Sequence, residues 1–315
     1  MELAALQLLI CMTQVFFPPQ NTAALKQRIV ALLPVDEFES GCAPYREWFR
    51  VDHPDFPFMQ RKGAKVETPM DKLLAVLTGA QNCCFVNEPN LAAQLCGGCT
   101  AIALFNLASC SPSFGGGFKL GLRQGAAITT LLSGDDLRQT IWLNIISEDR
   151  KESFLSWHSA TKDQRPTWVD PIPSTKIPVS EIGLLRGLFW QPAHVELKEH
   201  EGHGICSCCG FESDITYKRF YKDKFSSFDV DGTWSHPHSP AIMTINRDGT
   251  IDEDILSFGK SRAPAWTNLA RFVVHQQADG KKPGQRPAAV LLQAMTLFNQ
   301  SKIRLIVGGY QNQKG

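Results

Sequence analysis

Two cysteine pairs with the spacing C-x-x-C constrain the fold of this 315-residue chain more than any other feature. Cys96 and Cys99 form the first pair, and Cys206 and Cys209 form the second. One such turn places two thiolates on an edge of a tetrahedron, so two turns can complete a four-sulfur zinc site. A fold that completes this site must bring together segments that lie far apart along the chain. Such a site has no open position for water or substrate, so its role is structural.

Glycines accompany both pairs where the chain must turn tightly, with Gly97 and Gly98 inside the first pair and Gly210 after the second. The pairs are much farther apart than the two halves of a zinc ribbon, so four unlinked, buried cysteines remain the alternative. The other cysteines are interpreted as small core residues. They are Cys11, Cys42, Cys83, Cys84, Cys110 and Cys208.

The apolar N-terminal segment, residues 1–15, lacks the marks of a secretory signal. Glu2 stands where a positive charge is expected, and the first basic residue is Lys26. The segment is too short to span a bilayer and ends before Pro18 and Pro19, so we interpret it as a buried helix. We therefore expect a cytoplasmic protein without membrane contact, whose cysteines bind metal or pack in the core rather than form disulfides.

The composition is that of a folded protein, with 43% hydrophobic and 20% charged residues. The length is sufficient for a sizeable buried core. A net charge of +1 argues against a surface that binds nucleic acid over its whole extent. Any nucleic-acid site in this chain must therefore be a local patch.

The order of predicted elements lacks regular βαβ alternation, which favours an α+β fold. Helices are expected over residues 2–14, 69–78, 100–108, 263–277 and 287–300, and strands over 126–133, 215–228 and 303–307. An Asn-Arg-Asp-Gly turn predicts a hairpin over 241–257. Residues 184–197 are expected to be buried. The segments predicted to be irregular, loop or linker are 36–65, 79–90, 111–125 and 149–178.

A rival interpretation of the second cysteine pair is a catalytic zinc site. The H-x-E string at 194–196, followed by Cys206 and Cys209, resembles the zinc deaminase signature, in which Glu196 would shuttle protons. Ile205 stands where that signature has proline, and only nine residues separate Glu196 from Cys206. This interpretation also leaves the first cysteine pair without a role. A third possibility is a structural zinc protein that has only protein partners.

Six strings, in the same order and over nearly the whole chain, resemble the CasA family, which supplies the large subunit of the type I-E CRISPR Cascade surveillance complex. They are LCGGCTAIALFN at 95–106, FGGGFK at 114–119, RGLFWQPAH at 186–194, CSCCG at 206–210, HPHSP at 236–240 and GGY at 308–310. Several strings in register are far more specific than any single motif among them. The resemblance implies one irregular, mixed globular domain over residues 1–315, stapled by a four-cysteine zinc site.

Family members usually begin with an extra segment before the point that matches Met1. They also usually continue past Gly308 and Gly309 into a helical bundle, which this sequence lacks. The resemblance therefore implies a chain that is shortened at both ends.

The family recognises a short protospacer-adjacent motif in duplex DNA through the minor groove. The residues that match its groove-contacting loop and its groove-entering lysine are Gly115, Gly116, Gly117 and Lys224. Glycines let backbone groups approach base edges closely, and an ammonium group donates to the adenine and thymine acceptors of the minor groove. Lys119 and Arg123 beside the loop suit either a phosphate neighbour or solvent.

Two further segments match family sites for nucleic acid. The family's wedge, which enters the duplex end and starts strand separation, matches Asn312, Gln313 and Lys314. A family loop that touches the 5′ handle of the guide RNA matches residues 82–90. There, Phe85 suits stacking on an unpaired base, and Asn87 suits a hydrogen bond to a base edge.

The resemblance also implies a division of labour in which guide pairing reads the sequence and the protein reads only the short motif. The implied partners are the guide RNA, target double-stranded DNA, the other Cascade subunits and a separate helicase–nuclease. The implied cofactor is one structural Zn²⁺ ion. We expect no enzymatic activity, because the family has none and the sequence has no P-loop. His236 and His238, on either side of a proline, are expected to form a surface turn.

Overall fold

The structure is a computed structural model that describes residues 1–74, 92–115, 117–155, 165–173, 175–198, 200–224, 228–258, 267, 269–279, 282–298 and 303–310. These residues form a mixture of helices and small sheets, as the α+β prediction requires. No helix in this described part is long and apolar enough to cross a membrane.

The helices of the described residues are short, apart from one at the N-terminus and one that begins within the first cysteine pair. They are α1 (Glu2–Phe16), α2 (Thr22–Val30), α3 (Val35–Cys42), α4 (Gly97–Ser109), α5 (Leu137–Leu143), α6 (Glu148–Phe154), α7 (Leu184–Leu188), α8 (Leu269–Val273) and α9 (Ala289–Leu297). Short 3-10 helices cover Ala43–Phe49, Met70–Leu73 and Val179–Glu181.

The strands are also short. They are β1 (Val66–Pro69), β2 (Leu95–Cys96), β3 (Thr129–Leu132), β4 (Lys176–Pro178), β5 (His194–Glu196), β6 (Gly204–Ile205), β7 (Glu212–Ser213), β8 (Thr216–Tyr217), β9 (Arg219–Asp223), β10 (Asp229–Asp231), β11 (Ala241–Ile245), β12 (Ile251–Ile255), β13 (Gly284–Arg286) and β14 (Leu305–Gly308).

Pairing is antiparallel everywhere in this part of the chain except between β4 and β10. Two three-stranded sheets have the orders β1-β9-β5 and β12-β11-β13. The remaining antiparallel pairs are β3 with β14, β2 with β8, and β6 with β7. The sheet β1-β9-β5 and the pairs β2/β8 and β6/β7 hold the candidate sites described below.

Helices α1 and α4 pack against each other in the main core. Ile10 and Cys11 of α1 and Phe105 of α4 have no exposed surface. The core continues through edge-to-face contacts of Trp168 with Phe49 and Phe189. Such contacts combine apolar burial with a favourable ring geometry, so they help to hold the irregular segments in place.

Several sequence predictions are confirmed. Helix α1 covers the predicted segment and ends two residues later, and β11 and β12 form the predicted hairpin around Gly249. The predicted helices over 100–108 and 287–300 correspond to α4 and α9, and the strand over 303–307 corresponds to β14. Residues 184–197 are largely buried, as expected.

Parts of two segments predicted to be irregular or linker form helix or strand instead. Residues 36–65 contain most of α3, whose first turn carries Asp36 and Glu37, where negative charge favours a helix. Residues 149–178 contain most of α6 and all of β4, and Trp168 and Ile172 in this segment are buried. The polar composition of the second segment concealed a few large side chains that anchor it.

Candidate metal centre and nucleic-acid interface

The structure brings the two cysteine pairs together, as the sequence predicted. The ligand atoms of Cys96, Cys99, Cys206 and Cys209 all lie within 4.8 Å of one another, and we call this set the four-cysteine cluster. The Sγ atoms of Cys96 and Cys209 are 3.8 Å apart. Sulfurs on a tetrahedral zinc ion at Zn–S bonds of ~2.3 Å are about 3.8 Å apart, so this donor set fits zinc.

Local backbone geometry shapes each half of the cluster. Cys96 caps the N-terminus of α4, and its sulfur accepts a hydrogen bond from the N–H of Cys99 at 3.4 Å. Cys206 opens the turn between β6 and β7, where its N–H donates to the Phe211 carbonyl and its own carbonyl accepts from the Gly210 N–H. The turn therefore holds both of its thiols on the same side.

The two halves meet because the chain pairs on both sides of them. Strand β2 pairs with β8, which aligns Cys96 with Thr216. We call each C-x-x-C turn a knuckle, and Gln94 makes three hydrogen bonds to the second one. Its carbonyl accepts from the Ser207 N–H, its N–H donates to the Ser207 hydroxyl, and its side-chain amide donates to the Ile205 carbonyl. These contacts hold the halves in register without the sulfurs.

The thiols differ in their electrostatic surroundings. Burial raises the pKa of Cys96 and, much more strongly, the pKa of Cys99. Burial would also raise the pKa of Cys206, but backbone hydrogen bonds from Cys96, Cys209 and Cys208 outweigh it and lower that pKa to about 6. Four sulfurs this close can be deprotonated together only if a cation offsets their mutual repulsion.

The residues of the deaminase interpretation lie elsewhere. Glu196 accepts hydrogen bonds from the backbone N–H groups of Gly63 and Ala64, at 2.8 and 3.0 Å. A ring nitrogen of His194 lies 3.0 Å from the Lys62 carbonyl oxygen. Among the described residues, no metal-type cluster combines His194 with the second cysteine pair. This geometry disfavours a catalytic zinc site of the deaminase type.

A second group of metal-type side chains lies in the core. Cys11, His236 and His238 have ligand atoms within 4.8 Å of one another, and we call them the buried cysteine–histidine cluster. Cys11 has no exposed surface, and each histidine is 2% exposed, so the predicted surface turn is wrong. The proline between the histidines turns the chain, but it does so inside the protein.

Hydrogen bonds occupy the histidines of this buried cluster. One ring nitrogen of His238 lies 3.2 Å from the Gln7 amide, and the other lies 3.4 Å from the Asn144 carbonyl oxygen. Nδ1 of His236 accepts the N–H of His238 at 3.1 Å. A neutral His236 ring therefore carries its proton on Nε2, which leaves no lone pair there for a metal. Burial and the charge of Arg123 lower the pKa of both histidines, that of His238 to about 3.

Arg123 corrects another expectation, because it is buried and cannot lie beside a phosphate on the surface. It is 2% exposed, and its guanidinium group donates to side-chain oxygens of Ser239, Gln7 and Thr129. It also donates to backbone carbonyls of α4 and β3 neighbours. Lys119 differs, since it is half-buried and its ammonium lies 5.4 Å from the Phe228 ring centre.

The glycine loop and its proposed partner lysine meet in space. Gly115 and Gly117 are exposed and have φ values of +110° and +86°, which side-chain-bearing residues rarely adopt. A Cβ on Gly117 would lie 2.9 Å from Cδ and Cε of Lys224. Gly117 therefore gives the lysine side chain room to lie across the loop.

The remaining predicted nucleic-acid residues lie outside the described residues. These are Gly116, Phe85, Asn87, Asn312, Gln313 and Lys314. Cys83 and Cys84, which were predicted to be core residues, lie outside the described residues as well. Lys222, which lies beside the loop, was not among the residues predicted from the sequence. The alternation of basic and aromatic residues over 215–228 was the signal that could have identified it.

Comparison with known proteins supports the same family. A family model described as CRISPR-associated protein Cse1 matches residues 1–315. The fold is similar to that of Cse1 from Acidimicrobium ferrooxidans, with 17% identity and a TM-score of 0.64 over 96% of this chain and 57% of that one. Thermus thermophilus CasA (Cse1) gives 18% identity and a TM-score of 0.60 over 98% of this chain and 66% of that one.

A chain of a CRISPR RNA-guided surveillance complex is also similar, with 15% identity and a TM-score of 0.63. That match covers 98% of this chain and 64% of the other. The TM-scores establish a shared fold, although the sequence identities are low. This chain spans less than two thirds of the length of each of these three proteins.

Proposed function

Because this chain belongs to the CRISPR-associated Cse1 family, we propose that it supplies the DNA-reading part of the large subunit of a type I-E Cascade surveillance complex. The observation that carries the proposal is the meeting of Gly117 with Lys224, which lie far apart in the sequence but touch at the surface. Two of the predicted minor-groove elements thus form one patch. This local patch is what a chain of nearly neutral net charge requires.

The chemistry of the patch suits the minor groove of duplex DNA. Adenine N3 and thymine O2 are acceptors, and the exposed ammonium of Lys224 is a donor that reaches them on a flexible stem. Gly115 and Gly117 leave the backbone of the loop uncovered, so its peptide groups can approach base edges. The minor groove distinguishes little more than A·T from G·C, so recognition of a tolerant, short protospacer-adjacent motif is expected.

We also propose that the four-cysteine cluster holds one structural Zn²⁺ ion. When bound, the ion supplies a closed tetrahedral cross-link and no catalytic position. The hydrogen bonds of Gln94 tie the second knuckle to the segment that directly precedes the first. This segment follows residues 82–90, which include Phe85 and Asn87, the proposed contacts to the 5′ handle of the guide RNA.

The proposed partners are the guide RNA, target double-stranded DNA, the other Cascade subunits and a helicase–nuclease that performs the cleavage. Asn312, Gln313 and Lys314 are proposed as the wedge that starts strand separation. The chain itself is proposed to have no enzymatic role. Its function would then depend on binding and on distortion of DNA, whose cost is offset by new contacts.

The test is duplex binding by the complex assembled with guide RNA and either the native chain or a variant. We expect Lys224→Met to weaken binding to a motif-bearing duplex about tenfold, because one good contact to base edges supplies roughly 1–3 kcal/mol of discrimination. Gly117→Ala should have a similar effect, since its Cβ would displace the lysine and strain the turn.

The matched control is Lys218→Met. Lys218 is an exposed lysine beside the same sheet, but it pairs with Glu201 and not with the glycine loop. It should bind a motif-bearing duplex and a duplex without the motif as the native complex does. Unchanged affinity and unchanged motif preference in both loop variants would exclude this patch as the reading site. Loss of the preference in the lysine control as well would indicate a general charge effect.

A second candidate role, contact with a protein partner, is favoured by one observation on the second knuckle. Ile205 is 57% exposed and Phe211 is 75% exposed, on either side of the cysteine turn. Exposed apolar side chains on a hairpin are typical of a site that binds another protein. If contact with proteins were the only role, the assembled complex would show no salt-dependent contribution of this chain to DNA affinity.

A further inference from the structure

The glycine loop, residues 114–118, packs against one face of β9. Alternate residues of a strand point to the same side, so Phe220, Lys222 and, just past the strand, Lys224 share a face. Phe220 is buried and stacks on Phe114 of the loop, with ring centres 5.8 Å apart and planes at 23°. The face therefore begins with a buried ring pair and ends with the exposed Lys224 against Gly117.

Lys222 occupies the middle of this face. Its ammonium nitrogen lies 4.2 Å from the ring centre of Phe114 and 5.3 Å from that of Phe118. These two rings stand at the two ends of the glycine run and contact each other edge to face at 5.3 Å. The lysine thus touches the loop on both sides of the residues proposed to face DNA.

From this geometry we propose that Lys222 is a positioning residue, whose cation holds Phe114 and Phe118 and thereby sets the direction of the glycine peptides and of Lys224. The inference rests on the proposed function of the loop. A cation over aromatic faces is attracted by the negative charge of the ring faces, and the attraction grows as water is removed. Lys222 does not contact the DNA in this account.

The surroundings of Lys222 favour its rings as partners. Its neighbours across the sheet are Val66 and Val195, which offer no charge. In the described part of the chain, no carboxylate forms an ion pair with it. Burial, and then the charge of Lys72, lower the pKa of Lys222, as expected for an ammonium group partly withdrawn from water.

The loop needs such a clamp because of its composition. Glycines have the greatest conformational freedom of all residues, and among the described residues no atom beyond the chain neighbours of Gly115 lies within 4 Å of the position that its Cβ would take. The fixed parts of the loop are therefore its two phenylalanines. When both rings are held by a single cation, the peptides between them keep one orientation.

The same strand offers a matched control on its other face. Lys198 lies over the ring of Tyr221 at 4.2 Å, the same distance as Lys222 from Phe114. Lys198 also lies near Glu196 and away from the loop. Lys198→Met and Lys222→Met therefore each remove a comparable cation–ring contact from the same sheet, and only the second should affect the loop.

The experiment combines hydrogen exchange of the full-length chain with DNA binding by the assembled complex. For Lys222→Met, which keeps an apolar stem, we expect faster amide exchange over residues 114–118 and about tenfold weaker binding to a motif-bearing duplex, within the range of a cation–ring contact. The dependence of affinity on salt should not change, because no phosphate contact is lost. Lys222→Arg should restore both properties, and Lys198→Met should leave both unchanged.

Each other outcome has a distinct meaning. Native exchange and native binding in Lys222→Met would overturn the proposal. So would weaker binding with native exchange and a salt slope reduced by about one, because that is the signature of a direct phosphate contact. If Lys222→Met loosens the loop while neither it nor Lys224→Met alters DNA affinity, Lys222 positions the loop but the proposed function of the loop is wrong.

Discussion

The four-cysteine cluster and the buried cysteine–histidine cluster contain similar residue types in opposite settings. In the first, the sulfurs face one another across two turns, and Cys209 is exposed. In the second, backbone and amide groups already occupy nitrogens of His236 and His238, and the guanidinium of Arg123 lies close enough to lower their pKa values. Proximity of metal-type side chains is therefore not sufficient for a metal site. Each donor atom must also keep a lone pair free for the ion, and the site must have no positive charge beside it.

The two clusters also differ in how the chain builds them. Each half of the four-cysteine cluster is a local turn whose own hydrogen bonds orient its thiols. In the buried cluster only the two histidines share a turn, whereas Cys11 comes from α1, which meets that turn through core packing and the contact of Gln7 with His238. Removal of one member should therefore have different consequences in the two regions.

The largest expected effect separates the clusters directly. In Cys206→Ser, as in Cys96→Ser, we expect zinc to fall from about one ion per chain to near zero, with a loss of several kcal/mol of stability. Elemental analysis and thermal unfolding of the purified chain measure the two effects. Cys208→Ser is the control within the same turn and should retain zinc. Zinc retained in one of the two ligand variants would mean that the cysteine pairs do not share an ion.

The next largest effect concerns the buried region. Arg123→Met should destabilise the chain by about 3 kcal/mol or more, because the carbonyl and hydroxyl groups that the guanidinium serves lose their donor while they stay buried. Chemical denaturation measures the change in the free energy of unfolding. The control is Arg304→Met on the surface, whose exposed pair with Asp135 should contribute less than about 1 kcal/mol. Equal losses in the two variants would show that Arg123 does not organise the buried region.

A smaller effect follows from the pKa of His238, which is lowered to about 3 in the folded state from 6.5. The unfolded chain binds this proton as pH falls below 6.5, whereas the folded chain does not, so stability is full above that pH and declines towards pH 3. Between pH 7.5 and pH 5 this histidine should remove about 2 kcal/mol. His238→Gln should flatten that decline in the free energy of unfolding, and the exposed His203→Gln should not. Parallel pH profiles of the native chain and His238→Gln would contradict the assignment.

The smallest effect sharpens the contrast in metal binding. Cys11→Ser should leave the zinc content unchanged and cost about 1–3 kcal/mol for a buried polar group without a good partner. The measurement is zinc stoichiometry beside that of Cys206→Ser. A content of two ions in the native chain, with one lost in Cys11→Ser, would show that the buried cluster also binds metal. The contrast between the two clusters would then be wrong.

The sequence predicted best what depends on neighbours in the chain. The C-x-x-C turns, α1 and the hairpin of β11 and β12 carry local signals, and all of them are present in the structure. The approach of one cysteine pair to the other was also predicted, from the four-ligand requirement of zinc and from family resemblance. Zinc itself, and the roles of the glycine loop, Lys224, Phe85, Asn87 and the wedge residues, stay predictions.

What the sequence could not predict depends on distant contacts. Arg123 and His238 are polar residues that are usually exposed, and they are buried because Gln7, from the far end of the chain, bonds to both. No local pattern indicates such a network. Lys222 was missed for a different reason. Its alternation with aromatic residues was visible, but its effect depends on rings that lie in the glycine loop.

The distance along the chain between the two knuckles also sets an order of events during synthesis. Cys96 and Cys99 leave the ribosome while Cys206 and Cys209 have not yet been translated. At a synthesis rate of about 5–20 residues per second, the early pair waits for its partners for roughly 5 to 20 s. Helix α4 can form in that interval, with its capping thiol open to any passing ion or oxidant. When Cys206 and Cys209 then join the first pair, they connect two segments of the nascent chain that are about a third of its length apart.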